Sequence, residues 1–113
     1  MRVIEIDQYG ARLKNIENTL ESLQTAVGGY IEPLKFTMGG FTMLLDEEGA
    51  LVPKYLNLIA SDVAGEPIHG KAIILCTKNE EFTDVSAGVI KSLGRYMRVR
   101  YNINIEEGLY DAV

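Results

Sequence analysis

At 113 residues the chain has room for one hydrophobic core and little more, because domains most often run to about 100–150 residues. Its 47% hydrophobic and 24% charged residues are globular values, with enough apolar surface to offset the entropy of ordering, so it is expected to fold as one domain, 1–113. A net charge of −5 argues against a general nucleic-acid binder, a lone Cys76 excludes an internal disulfide, and with no cationic leader or membrane-length apolar run in sight the chain is expected in the cytoplasm, away from membranes.

Residues 1–7 alternate about Val3, Ile4, Glu5 and Ile6 and stop at Gln8-Tyr9-Gly10, which reads as a strand and a turn; whether residues 11–14 pair back as a second strand stays open. Asn18 or Thr19 then caps a helix over residues 19–27, in which Leu20, Leu23, Ala26 and Val27 recur at helical spacing and Gly28-Gly29 supplies a left-handed stop. Residues 30–46 form a hairpin about Gly39-Gly40, since a Gly-Gly pair permits the positive φ angles of a two-residue turn. With that turn Met38 faces Phe41, Phe36 faces Met43 and Leu34 faces Leu45, with Glu32 continuing the same side. The other side, Thr37 with Thr42 and Lys35 with Leu44, reads as mostly solvated.

Asp46-Glu47-Glu48-Gly49 is a polar turn, residues 50–52 a short strand ended by Pro53, and residues 54–60 a single helical turn. After the turn Ala64-Gly65-Glu66-Pro67, the run Ala72-Ile73-Ile74-Leu75 suits a central strand over residues 71–76, covered on both faces. Thr83-Asp84 opens a helix over residues 84–98, where Val85, Val89, Leu93 and Met97 step by four with Ile90 beside them. Gly88 and Gly94 each cost up to about 1 kcal/mol relative to alanine, so this helix depends on packing. Val99, Tyr101, Ile103 and Ile105 alternate as a last strand before an acidic tail. The fold class is therefore α+β, a small mixed or antiparallel sheet with helices near 19–27 and 84–98.

Residues 65–72 nearly spell a phosphate-binding loop, but Ala72 lacks the hydroxyl that holds magnesium, Pro67 removes a cradling amide, and the segment leads into a strand where the motif requires a helix. His69 is the only histidine, so no histidine pair exists for a metal, and pairing it with Cys76 would require the thiol to leave an apolar strand. The acidic run Asp46, Glu47 and Glu48 lacks the alternating oxygen ligands of a calcium loop. No metal or cofactor is expected. Between Val85 and Ile105 the chain carries Lys91, Arg95, Arg98 and Arg100 and no acidic residue. Lys91, Arg95 and Arg98 fall at i, i+4 and i+7, on one helical face, where they can meet phosphate, carboxylate or an acidic partner. Tyr96, Tyr101 and Tyr110 lie nearby and can stack on a ring held there. The competing reading is a solvated row paired with Glu106, Glu107 and Asp111.

Val27-Gly28-Gly29-Tyr30-Ile31-Glu32, preceded by Glu17-Asn18-Thr19-Leu20-Glu21 and followed by Asp46-Glu47-Glu48-Gly49, Asn57, Ala60 and Gly70, resembles the domain of unknown function 3846 over residues 1–76. That family occurs on phages, plasmids and bacterial chromosomes, especially in Gram-positive hosts, and has no assigned activity. The resemblance implies a phage- or mobile-element-type accessory protein in a bacterial cytoplasm that binds a host component.

The residues add no catalytic set, so the expected role is non-catalytic. The first reading is a homo-oligomeric protein that sequesters an anionic small ligand, such as a signalling nucleotide used in host defence, with Lys91, Arg95, Arg98, Tyr96 and Tyr101 as its ligand-binding residues. The alternative is a protein–protein interaction module that inhibits or regulates a host protein, its terminal strand completing a neighbour's sheet. An enzyme would have to use paired carboxylates, Glu32 with Asp46 or Glu47, at the mouth of the hairpin.

Overall fold

A computed structural model describes residues 1–51 and 54–107; Val52, Pro53, Tyr110 and Asp111, all invoked above, lie outside the described residues. The order is β1 (Arg2–Asp7), β2 (Gly10–Asn15), α1 (Leu20–Val27), β3 (Ile31–Phe36), β4 (Phe41–Asp46), α2 (Leu58–Ala64), β5 (Ala72–Lys78), β6 (Glu81–Thr83), α3 (Ala87–Tyr101) and β7 (Ile105–Glu106). The strands make one mixed sheet in the order β3-β4-β5-β1-β2-β7, with β6 on β5. All pairs are antiparallel except β2 with β7. The open question at residues 11–14 resolves as a β1–β2 hairpin with Glu5 opposite Arg12 and Val3 opposite Lys14. Among the described residues no helix is long and apolar enough to cross a membrane.

Strand alternation gives the sheet two faces, and helices pack on both. Ile4, Ile6, Leu13, Met43 and Ile74 face α2 and α3, where they meet Ile59, Val89, Leu93 and Met97. Val3, Leu44, Ile73 and Leu75 face α1 and meet Leu23 and Val27. The β4 side expected to be wet is therefore a second core. The sequence pattern hid this because Pro33 and Lys35 of β3, at the sheet edge, are exposed on that side while Thr42 and Leu44 of β4 are buried.

The hairpin register also differs. Phe36 pairs with Phe41 and Leu34 with Met43, so four residues, 37–40, form the loop in place of two. Only Gly40 has a positive φ, 72°, and its amide donates to Phe36 O at 2.8 Å; a two-residue type I′ turn needs two positive φ angles in succession. A shift of two residues preserves every side chain's face, whereas a shift of one would have inverted the strand. Leu34, Phe36, Phe41, Met43 and Leu45 consequently still share one side, though Met38 projects fully into solvent from the loop.

The third helix, Ala87–Tyr101, is capped by Ser86, whose hydroxyl accepts from the Val89 amide, and by Asn102, so both its ends lie three residues later than the pattern indicated. Val99 and Tyr101 are helical rather than part of a last strand; Ile105–Glu106 alone pairs, parallel to β2 in the chain's own sheet. Burial of Val89, Leu93 and Met97, at about 2 kcal/mol each, outweighs a penalty of about 2 kcal/mol for Gly88 and Gly94 together.

At the other end of the sheet the edge strand β3 is blunted. Glu47 N donates to Tyr30 O, and alternation along the antiparallel ladder then turns the backbone of Pro33 outward, where the missing N–H removes a donor from the free edge. Pro33→Val restores that donor and is expected to cause concentration-dependent self-association, read as a rising mass in light scattering; an unchanged monomer–oligomer profile would show that this edge is protected by other means.

The residues that carried the family resemblance converge on one corner. Gly28 ends α1 in the left-handed conformation, and a Cβ on Gly29 would come 2.5 Å from Asp46 Oδ1. Lys54 Nζ pairs with Asp46 and donates to Val27 O and Gly28 O at 3.1 and 3.2 Å, a cation at the C-terminus of a helix. Asn57, fully buried, donates from Nδ2 to Ile6 O and Gly70 O and accepts at Oδ1 from the Ala60 amide that starts α2.

Candidate functional site

At about 100° per residue, Lys91, Arg95 and Arg98 of α3 lie within roughly 60° of one another, on the side turned away from the buried Val89, Leu93 and Met97. All three are exposed. Among the described residues none forms an ion pair, whereas Arg2, Arg12, Lys14, Lys54, Lys71 and Arg100 each have a carboxylate partner. Of the partners proposed for the row, Glu107 lies 3.7 Å from Arg2, Glu106 forms no ion pair among the described residues, and Asp111 lies outside them. The clefts found among the described residues and given below are lined by other residues, and the row stands on the outward side of its helix.

The structure does not bring Tyr96 and Tyr101 onto that face. Tyr96 is turned about 100° from Arg95, towards α2. There Asp62 gathers three groups: the Tyr96 hydroxyl donates to Oδ1 at 2.9 Å, Arg100 Nε donates to Oδ2 at 2.9 Å, and the Tyr101 hydroxyl also donates to Oδ2. Arg100 stacks over the Tyr96 ring at 5.3 Å. The Tyr101 hydroxyl, followed by Tyr96 and Arg100, holds the Asp62 carboxyl below the usual aspartate range, and Asp62 in turn raises both tyrosines and Arg100. Sequence reasoning missed this cluster, because Asp62 is 38 residues from Arg100 and sits in a segment with no motif. Asp62 thus pairs Arg100 and both tyrosines on another side of α3, apart from the three cations of the row.

Of the carboxylates nominated for an enzyme, Glu32 and Asp46 are separated, while Glu47, two residues past Leu45, keeps to the Glu32 side. Ile31 pairs with Asp46 and Glu32 with Leu45, so Glu32 and Asp46 stand on opposite faces of the ribbon. The hydrogen bond from Lys54 holds Asp46 below its ordinary range, against a smaller rise from burial. The Cys76 thiol points to Gly40 O at 3.4 Å, while a His69 ring nitrogen lies 3.3 Å from Lys54 O, so the two do not pair. Among the described residues no group of three or more histidine, cysteine or acidic side chains is placed to hold a metal.

A second charged cluster lies on the sheet. On the α1 face of β1 and β2, Arg12 Nη1 donates to Glu5 Oε1 at 2.8 Å and Asp7 Oδ2 at 2.9 Å, and Lys14 Nζ donates to Glu5 Oε2 at 3.1 Å. Lys71 Nζ lies 3.8 Å from the same Oε2. Burial pushes the Glu5 carboxyl up, but Arg12, Lys14 and Lys71 more than offset it, so the group sits below an ordinary glutamate. Asp7 behaves likewise, raised by burial and lowered further by Arg12 and the Tyr9 and Gly10 amides. The signal was present as Glu5-x-Asp7 opposite Arg12-x-Lys14 at strand period, which looks like a solvated face until α1 is placed. That helix, of eight residues and about 12 Å, covers the β3–β5 part of the face and leaves a cleft of about 660 Å³ beside the cluster. A shallower depression of about 380 Å³ continues from Lys71 past Tyr55 to Lys54.

The family described as "Domain of unknown function (DUF3846)" matches residues 1–98. The match runs beyond the expected limit at Cys76 and takes in β6 and α3 as far as Arg98. No curated protein matches the chain. A similar solved structure is the crystal structure of small RNA methyltransferase HEN1, with a TM-score of 0.57 and 15% identity over 80% of this chain. The chain corresponds to 15% of that protein's length, and at this identity the likeness is one of fold alone.

Proposed function

The chain belongs to the family of the domain of unknown function DUF3846, and from that premise, with no activity assigned to the family, we propose that it is a non-catalytic binding module that docks the outer face of α3 on an acidic surface of a partner protein. The observation that carries this reading is the exposed row of Lys91, Arg95 and Arg98, without a carboxylate partner among the described residues of a chain that has 16 acidic side chains. Leaving three like charges together on one helix costs self-repulsion, and an incoming acidic surface relieves it. A convex helix suits a macromolecular surface better than a small ligand, which needs a concavity to bury most of its own area. In the family's setting on phages and plasmids, the partner is a host protein. Homo-oligomerisation belongs to the same proposal only if the partner surface is a second copy.

Charge reversal tests it. Wild-type protein is expected to bind a polyglutamate peptide in calorimetry at low salt, and to lose that binding by more than about tenfold in K91E/R95E/R98E, with an unchanged far-UV spectrum and strong weakening between low and physiological salt. Wild-type binding of a cyclic or linear nucleotide in place of the peptide, lost in the same variant, would instead support sequestration of a small anion. Peptide binding that survives the triple reversal would remove the row from any role.

A further inference from the structure

We propose that the cleft between α1 and the charged end of the β1–β2 hairpin is a binding site for a small zwitterion of the amino-acid or short-peptide type. It lies on the opposite face of the sheet from α3, shares no residue with the cationic row, and stands or falls independently of it.

Two walls of opposite charge face the cleft. On the sheet side, Lys14 and Lys71 converge on one oxygen of the buried Glu5, at 3.1 and 3.8 Å. Each ammonium has three donors; Lys14 gives one to that oxygen while Lys71 faces it as a charge without a hydrogen bond, and their side chains are 41% and 46% exposed, so the remaining donors are open to the cleft. In this cluster the three cations Arg12, Lys14 and Lys71 face only the two carboxylates of Glu5 and Asp7, which leaves one positive charge uncompensated. Across the cleft stand Glu17 and Glu21, and neither forms an ion pair among the described residues. The walls thus do not close on each other. A ligand with a carboxylate at one end and an ammonium at the other satisfies both, with its carboxylate on Lys14 and Lys71 and its ammonium on Glu17 and Glu21. A simple anion meets repulsion from the glutamates, and a simple amine meets it from the lysines. The volume, about 660 Å³, leaves room for a side chain or a second residue.

The test is a thermal-melt and calorimetry panel on the full chain at constant ionic strength, using the common amino acids and a set of dipeptides, with acetate and methylammonium as half-ligands. At least one zwitterion is expected to raise the melting temperature saturably while neither half-ligand does so. Lys71→Met and Glu21→Gln, both at exposed side chains, are each expected to weaken that binding by about tenfold with the fold intact, and Arg95→Glu is expected to leave it unchanged. Absence of saturable binding by any zwitterion up to about 10 mM overturns the proposal. So does acetate binding as well as the best zwitterion, or unchanged binding in folded Lys71→Met.

Discussion

Asn57→Ala is expected to destabilise the fold by about 4 kcal/mol and to lower the melting temperature by on the order of 20 °C. Asn57 is fully buried, and its amide holds two carbonyls from separate parts of the chain, Ile6 O at the end of β1 and Gly70 O before β5, both at 2.9 Å. Alanine leaves both acceptors in a space closed to solvent, each costing about 1–3 kcal/mol, and also removes the cap on the Ala60 amide, worth about 1 kcal/mol. Set against a total stability of about 5–15 kcal/mol for a domain of this size, that is a large share. Asn57→Asp keeps an acceptor for the Ala60 amide but turns a donor into a charge facing two carbonyls, and is expected to do at least as much damage. Thermal melts of both variants check this. A fall of only a few degrees in Asn57→Ala would mean that the freed carbonyls find other donors and that Asn57 is not the tie described here.

Glu5→Gln is expected to cost about 3 kcal/mol at neutral pH and to flatten the acid limb of the stability profile. Removing one partner from a buried ion cluster strands the others, which costs about 3–5 kcal/mol; the lower end applies because Lys14 and Lys71 remain about half exposed. In the folded protein Glu5, Asp7 and Asp46 all titrate below their ordinary values. Groups depressed in this way contribute fully above their unfolded pKa, about 4, and lose that contribution as the pH falls towards the folded value. Wild-type stability is therefore expected to stay level from about pH 7 to 5 and to drop below about pH 4, more steeply than in Glu5→Gln. Denaturant midpoints across that range measure both effects. Equal acid slopes in the two proteins would show that Glu5 is not a source of the pH dependence.

Where a feature depended on near neighbours in the chain, it could be read from the residues. Thr19 caps α1 and Gly28 ends it, Val89, Leu93 and Met97 are buried, and Leu34 and Phe36 share a side with Met43. The hairpin loop is two residues longer than the Gly-Gly pair indicates, yet that side is undisturbed, because a strand's period of two absorbs an even slip. Lys91, Arg95 and Arg98 were likewise placed on one face by their spacing, which a helix of sufficient length guarantees.

The partners of those faces were another matter. Periodicity says which way a side chain points and nothing about what stands opposite, so the gathering of Tyr96, Arg100 and Tyr101 on Asp62 left no trace in the linear pattern. The same holds for β4, whose supposedly wet side became a core once α1 folded over it, and for Glu5, which α1 encloses only in part. Local order along the chain comes from backbone geometry and short-range caps. The charge clusters and clefts come from strand order and helix placement, which bring together residues far apart in sequence.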